Sequence, residues 1–231
     1  MLKVAIIQSN YIPWKGYFDI IHDVDIFVFL DDVQYTTRDW RNRNLIKTPQ
    51  GLKWLTIPVG SDRNRKIYEV SIEGTDWAKK HWQSILHCYA KAKFFPKYRT
   101  FFEELYLKRE WNNLSILNQT LIKRISKELL GISTIFYDSR DIPTTGTKQE
   151  KLLSILKHFN ADVYVSGPSA KNYINLEDFK NSGIELIYKD YSGYPPYPQL
   201  FGNFENNVSI IDTIFNTGED APYYIWGWRN Q

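Results

Sequence analysis

Apolar positions near the start of the chain fall in short unbroken runs instead of alternating. Val4–Ile7 and Ile26–Leu30 each predict a strand buried on both faces, as in a parallel sheet. Both runs stop abruptly. The first gives way to Gln8, Ser9 and Asn10, then a loop with Pro13 and Gly16, then a helix-compatible run through Ile21. The second gives way to Asp31 and Asp32. Ligands of parallel α/β sheets bind outside the carboxyl ends of the strands, so these polar endings are expected to share the functional edge.

Further along, Leu52–Val59 alternates and predicts a strand after a turn at Thr48–Gly51, and Ile67–Ile72 predicts another short strand. Helical spacing follows from Asp76 to about Lys91, over Tyr98–Leu107, and from Asn113 or Ser115 to Leu130, where Gly131 stops it. Strand and helix then alternate: Ser133–Tyr137, Lys148–Phe159, Ala161–Val165, Leu176–Ser182, Ile184–Tyr188 and Ser209–Asn216. The expectation is one α/β domain over residues 1–231, with a mainly parallel Rossmann-like sheet flanked by helices and a helical insertion at about 76–130.

Composition narrows the classes. With 231 residues, 43% apolar and 24% charged, the chain suits a globular protein with one sizeable core. No window approaches 18 uninterrupted apolar residues, so no membrane span is expected. Sequence after Met1 is strand-like at once and carries no signal-peptide pattern. Cys88 has no disulfide partner, and the four histidines show no metal-ligand spacing, so no metal site is expected and a reducing cytoplasm is the expected location. A net charge of +3 predicts no extended nucleic-acid partner; the basic cluster at Arg38–Lys47 suits a small anion.

Five groups could carry chemistry. Gln8, Asn10 and Tyr11 offer donors and acceptors for a neutral edge, Lys15 a charge for phosphate, and Trp14 a pocket wall. Asp31 and Asp32, with Gln34 beyond, could bind Mg²⁺, accept ribose hydroxyls or act as a base, although only one of two consecutive strand residues faces a site. Arg38, Trp40, Arg41, Arg43 and Asn44 resemble a phosphate or carboxylate clamp. His81, on a helix beside Trp77, is a candidate acid or base. The run from Ser166 to Tyr173 supplies Gly167 for close backbone approach, Ser169 as a donor to an oxyanion and Lys171 for phosphate. The Tyr/Pro-rich stretch with Asp190, Tyr191, Tyr197 and Gln199 reads as a packed turn. No glycine fingerprint of a nucleotide-binding loop occurs.

The runs Gln8–Asp19, Phe29–Tyr35 and Arg38–Asn44, with Tyr164–Pro168 and Tyr197–Gln199, together resemble the WbqC-like family over essentially the whole chain. That resemblance implies association with bacterial O-antigen and other surface-polysaccharide genes. It also implies acyl or aminoacyl transfer onto a nucleotide-linked amino sugar, with the donor an ATP-activated acid (with Mg²⁺), an acyl thioester or an aminoacyl-tRNA. The entry into the first helix is also similar to nucleotidyl-transfer enzymes such as pantothenate synthetase. Those carry a His-x-Gly-His-like motif where this chain has Trp14-Lys15-Gly16-Tyr17. An ATP-dependent ligase or nucleotidyltransferase, and a non-catalytic sugar-nucleotide or RNA-binding module, are the alternatives.

Overall fold

The computed structural model describes residues 1–172 and 174–230. Five strands, β1 (Lys3–Ile7), β2 (Ile26–Phe29), β5 (Ile135–Asp138), β6 (Val163–Ser166) and β7 (Glu185–Tyr188), form one parallel sheet in the order β5-β2-β1-β6-β7. The α/β class follows directly from the apolar runs. Strand alternation divides the interior into two layers. Val4, Ile6, Ile26, Val28 and Tyr164 face helices α5 (Lys148–His158) and α6 (Leu176–Asn181), meeting Leu152, Ile155, Leu156 and Phe179. On the other side Ala5, Phe27, Phe29, Val163 and Val165 join the larger core. That core is completed by α1 (Lys15–His22), α2 (Asp76–Tyr89), α3 (Phe95–Leu107), α4 (Leu114–Arg124), α7 (Ile210–Thr217) and α8 (Ala221–Ile225).

The connection from β2 to β5 departs from expectation at its start. Before the helices comes an antiparallel hairpin of its own, β3 (Arg43–Thr48) and β4 (Gly51–Thr56). The polar residues Arg43 and Asn44 hide the first strand, because their run reads as a loop until the pairing partner is known. Ile67–Ile72 is not a strand: Ile67–Glu69 is a 3₁₀ turn whose amides bond across to Val33 and Asp31 carbonyls. Its apolar residues Ile67 and Val70 are buried all the same. The third predicted helix ends in a π-helical turn, Ile125–Leu129. Among the described residues no helix is long and apolar enough to cross a membrane.

Candidate functional site

In the order β5-β2-β1-β6-β7 the chain steps from β1 to β2 on one side and later to β6 on the other. Helix α1 packs on one face of the sheet and α6 on the opposite face. The loops leaving β1 and β6 therefore diverge and open a crevice beyond the carboxyl ends, the general ligand position in open α/β sheets. A cavity of about 610 Å³ lies there. Asn10, Pro13 and Trp14 come from the first loop; Gly167, Pro168 and Ser169 come from the loop after β6. The remaining walls are Trp40, Asn44, Leu45 and Leu52 around the hairpin, with Tyr191, Glu205 and Asn207 from late in the chain. Aromatic faces, amides, two hydroxyl-bearing residues and one acidic residue thus line one space.

The first loop is held under strain. Ile12 has φ 35°, a left-handed conformation that a β-branched residue rarely adopts. Asn44 fixes it by donating from Nδ2 to the carbonyls of Tyr11 and Ile12, both at 3.0 Å, while its Oδ1 accepts from Leu45 N at 2.8 Å. The Pro13 carbonyl accepts from Ile210 N and the Leu45 carbonyl from Ser209 N, each at 2.9 Å, so loop, hairpin and α7 are tied together. Trp14 then projects to the cavity, edge-on to Tyr191 at 5.2 Å and Tyr194 at 5.8 Å between centroids.

Of the residues singled out in the sequence, Asn10, Trp14, Trp40, Asn44, Gly167 and Ser169 meet at this cavity. The carboxylate pair does not. Asp31 is fully buried and accepts from Ser9 N (2.8 Å), Ser9 Oγ (2.7 Å), Gln119 Nε2 (3.1 Å) and Ser115 Oγ, which fastens the ends of β1 and β2 to α4. Asp32 accepts from Ser139 Oγ at 2.6 Å and pairs with Lys151 of α5. Neither side chain lines the crevice, and a buried carboxylate with four donors is committed to holding strands together.

His81 and Tyr11 also lie outside the cavity lining. Tyr11 Oη lies 2.8 Å from His81 Nδ1 and 2.6 Å from Tyr106 Oη, and His81 Nε2 lies 3.1 Å from the Thr56 carbonyl. Burial lowers the His81 pKa from 6.5 to about 4, with the Thr56 hydrogen bond opposing this only in part. His81 is a neutral core side chain with both ring nitrogens engaged.

Arg41 and Arg43 both lie near enough to Tyr35 to favour its ionised form, but among the described residues no arginine lines the cavity. Arg41 pairs with Asp39 at 2.5 Å, Arg43 stacks on Trp54 with its guanidinium carbon 4.2 Å from the ring centroid, and Arg38 is exposed. Gln34 donates to the Arg63 carbonyl. Gln8 contributes its carbonyl to Tyr17 Oη at 2.9 Å, and Ser166 is buried at the end of β6. Lys171 is exposed, its ammonium 5.1 Å from the centroid of Tyr188; Tyr173 lies outside the described residues.

Lys15 is the least expected. It is only 1% exposed, and its ammonium has no hydrogen-bond partner among the described residues. Three rings surround it, Tyr194 at 4.8 Å and Tyr197 and Phe204 at 5.3 Å. Burial lowers its pKa from 10.5 to about 8, against the pull of Asp212 and Asp19. Sequence position suggested a phosphate ligand; the fold encloses the side chain among these rings and leaves it out of the cavity lining.

Glu205 and Asn207 carry no sequence signal that would have marked them, since they sit in an irregular polar stretch. Tyr191, read as part of a packed turn, does reach the cavity. Gln199 and Tyr197 serve Asp212 instead, donating to its Oδ1 at 2.7 and 2.8 Å. Among the described residues no group of three or more His, Cys, Asp and Glu side chains could hold a metal ion.

Comparison with known proteins places this geometry in context. The model of the WbqC-like protein family matches residues 8–224. The uncharacterized protein Rv1507c of Mycobacterium tuberculosis is 47% identical over 227 residues, covering 97% of this chain and 98% of that protein. No solved structure matches.

Proposed function

This chain belongs to the WbqC-like protein family, and on that premise we propose that it is an acyl- or aminoacyltransferase forming an amide on a nucleotide-linked amino sugar in bacterial surface-polysaccharide synthesis. One observation carries the reading: the switch-point cavity combines the rings of Trp14, Trp40 and Tyr191 with Asn10, Asn207, Ser169 and the carboxylate of Glu205. Aromatic faces cover the apolar faces of a sugar ring, and amides and hydroxyls match its hydroxyl groups. A single carboxylate suits an amine.

In this reading the sugar amine occupies the cavity near Glu205. The ammonium form is not nucleophilic; Glu205 takes one proton to give the free amine, whose nitrogen then attacks the acyl carbonyl and passes its second proton to the leaving group. A C–N bond forms, the bond from the acyl carbon to the donor's sulfur or oxygen breaks, and the leaving group departs with the electron pair. The base role thus falls to a residue in the cavity, in place of His81 or Asp31 in the core.

An ATP-dependent ligase remains the second reading, supported by the strand–loop–helix entry at β1 and α1. Among the described residues the cavity lining holds Glu205 and no lysine or arginine, which suits a triphosphate poorly.

Thermal shift separates the readings. UDP- and dTDP-linked amino sugars, ATP with and without Mg²⁺, and coenzyme A thioesters are each added near saturation. A ligand at 100 times its dissociation constant adds about 2.7 kcal/mol of stability. Stabilisation by an amino-sugar nucleotide supports the transferase, and stabilisation by ATP alone supports the ligase. Silence from every amino-sugar nucleotide overturns the first reading.

A further inference from the structure

The hairpin has two unlike faces. Its register sets Leu45 opposite Trp54 and Lys47 opposite Leu52, so Arg43, Leu45, Trp54 and Leu52 share one face. The other face sends Ile46 and Leu55 into the core. Leu45 and Leu52 line the cavity, and Trp54 lies beside them, just outside its lining. Trp40, which also lines the cavity, packs its ring 5.4 Å from that of Trp54, tilted by 42°. Trp40 is 44% exposed and Trp54 41%, so two indoles present open surface side by side at the mouth of the site. Arg43 stacks on Trp54, and its Nε is buried with no hydrogen-bond partner among the described residues.

We infer that this Trp40–Trp54 shelf binds the nucleobase of the nucleotide-linked substrate, an assignment that rests on reading the adjoining cavity as the sugar site. Every base offers a π-face, and stacking on aromatic side chains binds it with little dependence on its identity. Arg43, stacked on one face of Trp54, adds a positive charge that favours a phosphorylated ligand over a free base. Continuity with the cavity supplies the order along the ligand: sugar inside, base on the shelf outside, with the phosphates between them. The same layout explains why basic residues are absent from the described cavity lining yet occur at its mouth.

Calorimetric titration of the full chain with UMP, dTMP and AMP tests the shelf, and titration with glucosamine tests the cavity separately. Wild-type protein is expected to bind at least one mononucleotide. Trp54→Ala should weaken that binding about tenfold or more, the size of a lost base–aromatic stack. Trp54→Phe keeps a ring and should stay within about threefold of wild type. Glucosamine affinity should be the same in all three proteins. The shelf is overturned if no mononucleotide binds, if Trp54→Ala binds it as wild type does, or if Trp54→Ala weakens glucosamine equally. Failure of glucosamine to bind wild type, with mononucleotide binding still dependent on Trp54, would instead overturn the sugar reading of the cavity and leave the shelf as a nucleotide site.

Discussion

The indole of Trp14 lies so close over Gly16 that a β-carbon on Gly16 would sit 2.3 Å from the ring. Gly16 is in the first turn of α1, where alanine would ordinarily favour the helix by about 1 kcal/mol. Here the ring would have to move, and its neighbours Tyr191 and Tyr194 move with it. Gly16→Ala should therefore lower stability by about 1–3 kcal/mol and weaken sugar binding. Denaturant melts and glucosamine titration check both; a stabilised variant with unchanged affinity would contradict the contact.

Asn44 is expected to matter through the backbone. Asn44→Ala leaves the Tyr11 and Ile12 carbonyls without their donor and frees the strained Ile12. A loss of about 2–4 kcal/mol follows from the unpaired buried groups. Hydrogen exchange should rise in residues 10–14 and leave β5 and β7 unchanged.

His81 should shape acid stability and leave turnover alone. Its folded pKa of about 4 lies below the ordinary 6.5, so the unfolded chain binds the extra proton between those values. Stability from this group is complete above pH 6.5 and is lost as pH falls towards 4, by up to roughly 3 kcal/mol. His81→Gln should flatten that part of the stability–pH curve, measured by urea melts from pH 4 to 7. A large drop in kcat at constant KM would return His81 to the chemistry.

Lys15 acts in the alkaline range. Its folded pKa near 8 lies below 10.5, so protonation favours the unfolded chain between these values. Stability should climb as pH rises from 8 to 10.5, by up to roughly 3 kcal/mol from this group. Lys15→Met removes the titration and fills the aromatic box with an uncharged chain of similar length. It should be at least as stable as wild type at pH 7 and lack the rise. Melts from pH 7 to 10.5 decide the matter.

Glu205→Gln keeps the size of the side chain and removes the proton acceptor. Amide formation should fall about 10²–10⁴-fold in kcat, with sugar affinity changed far less. Equal loss in binding and turnover would make Glu205 a binding group alone.

The sheet was legible because strands buried on both faces leave unbroken apolar runs; of the two polar endings expected to share one edge, that of β1 lines the cavity and that of β2 does not. Side-chain roles were less so. Asp31 and His81 look chemical in sequence, but their partners Ser115, Gln119, Tyr11 and Thr56 lie 25 to 88 positions away. Only the fold reveals that these groups are already satisfied. Glu205 and Asn207 were hidden for the opposite reason. Their surroundings have no periodicity, and they reach the cavity through the ties of Ser209 and Ile210 to the hairpin and first loop.

Helix α1 carries Asp19, fully buried, which accepts from Lys189 Nζ at 2.7 Å and from Arg229 at 2.8 and 3.0 Å. Arg229 lies 210 residues further on. At ordinary rates of translation the ribosome adds that arginine roughly 10–40 s after it adds the aspartate. Until then its carboxylate has only Lys189 and Tyr194, so the packing of α1 is completed later than that of the strands beside it. A chain lacking Arg229 would keep Asp19 on Lys189 and Tyr194 alone, and α1 is where it should open first.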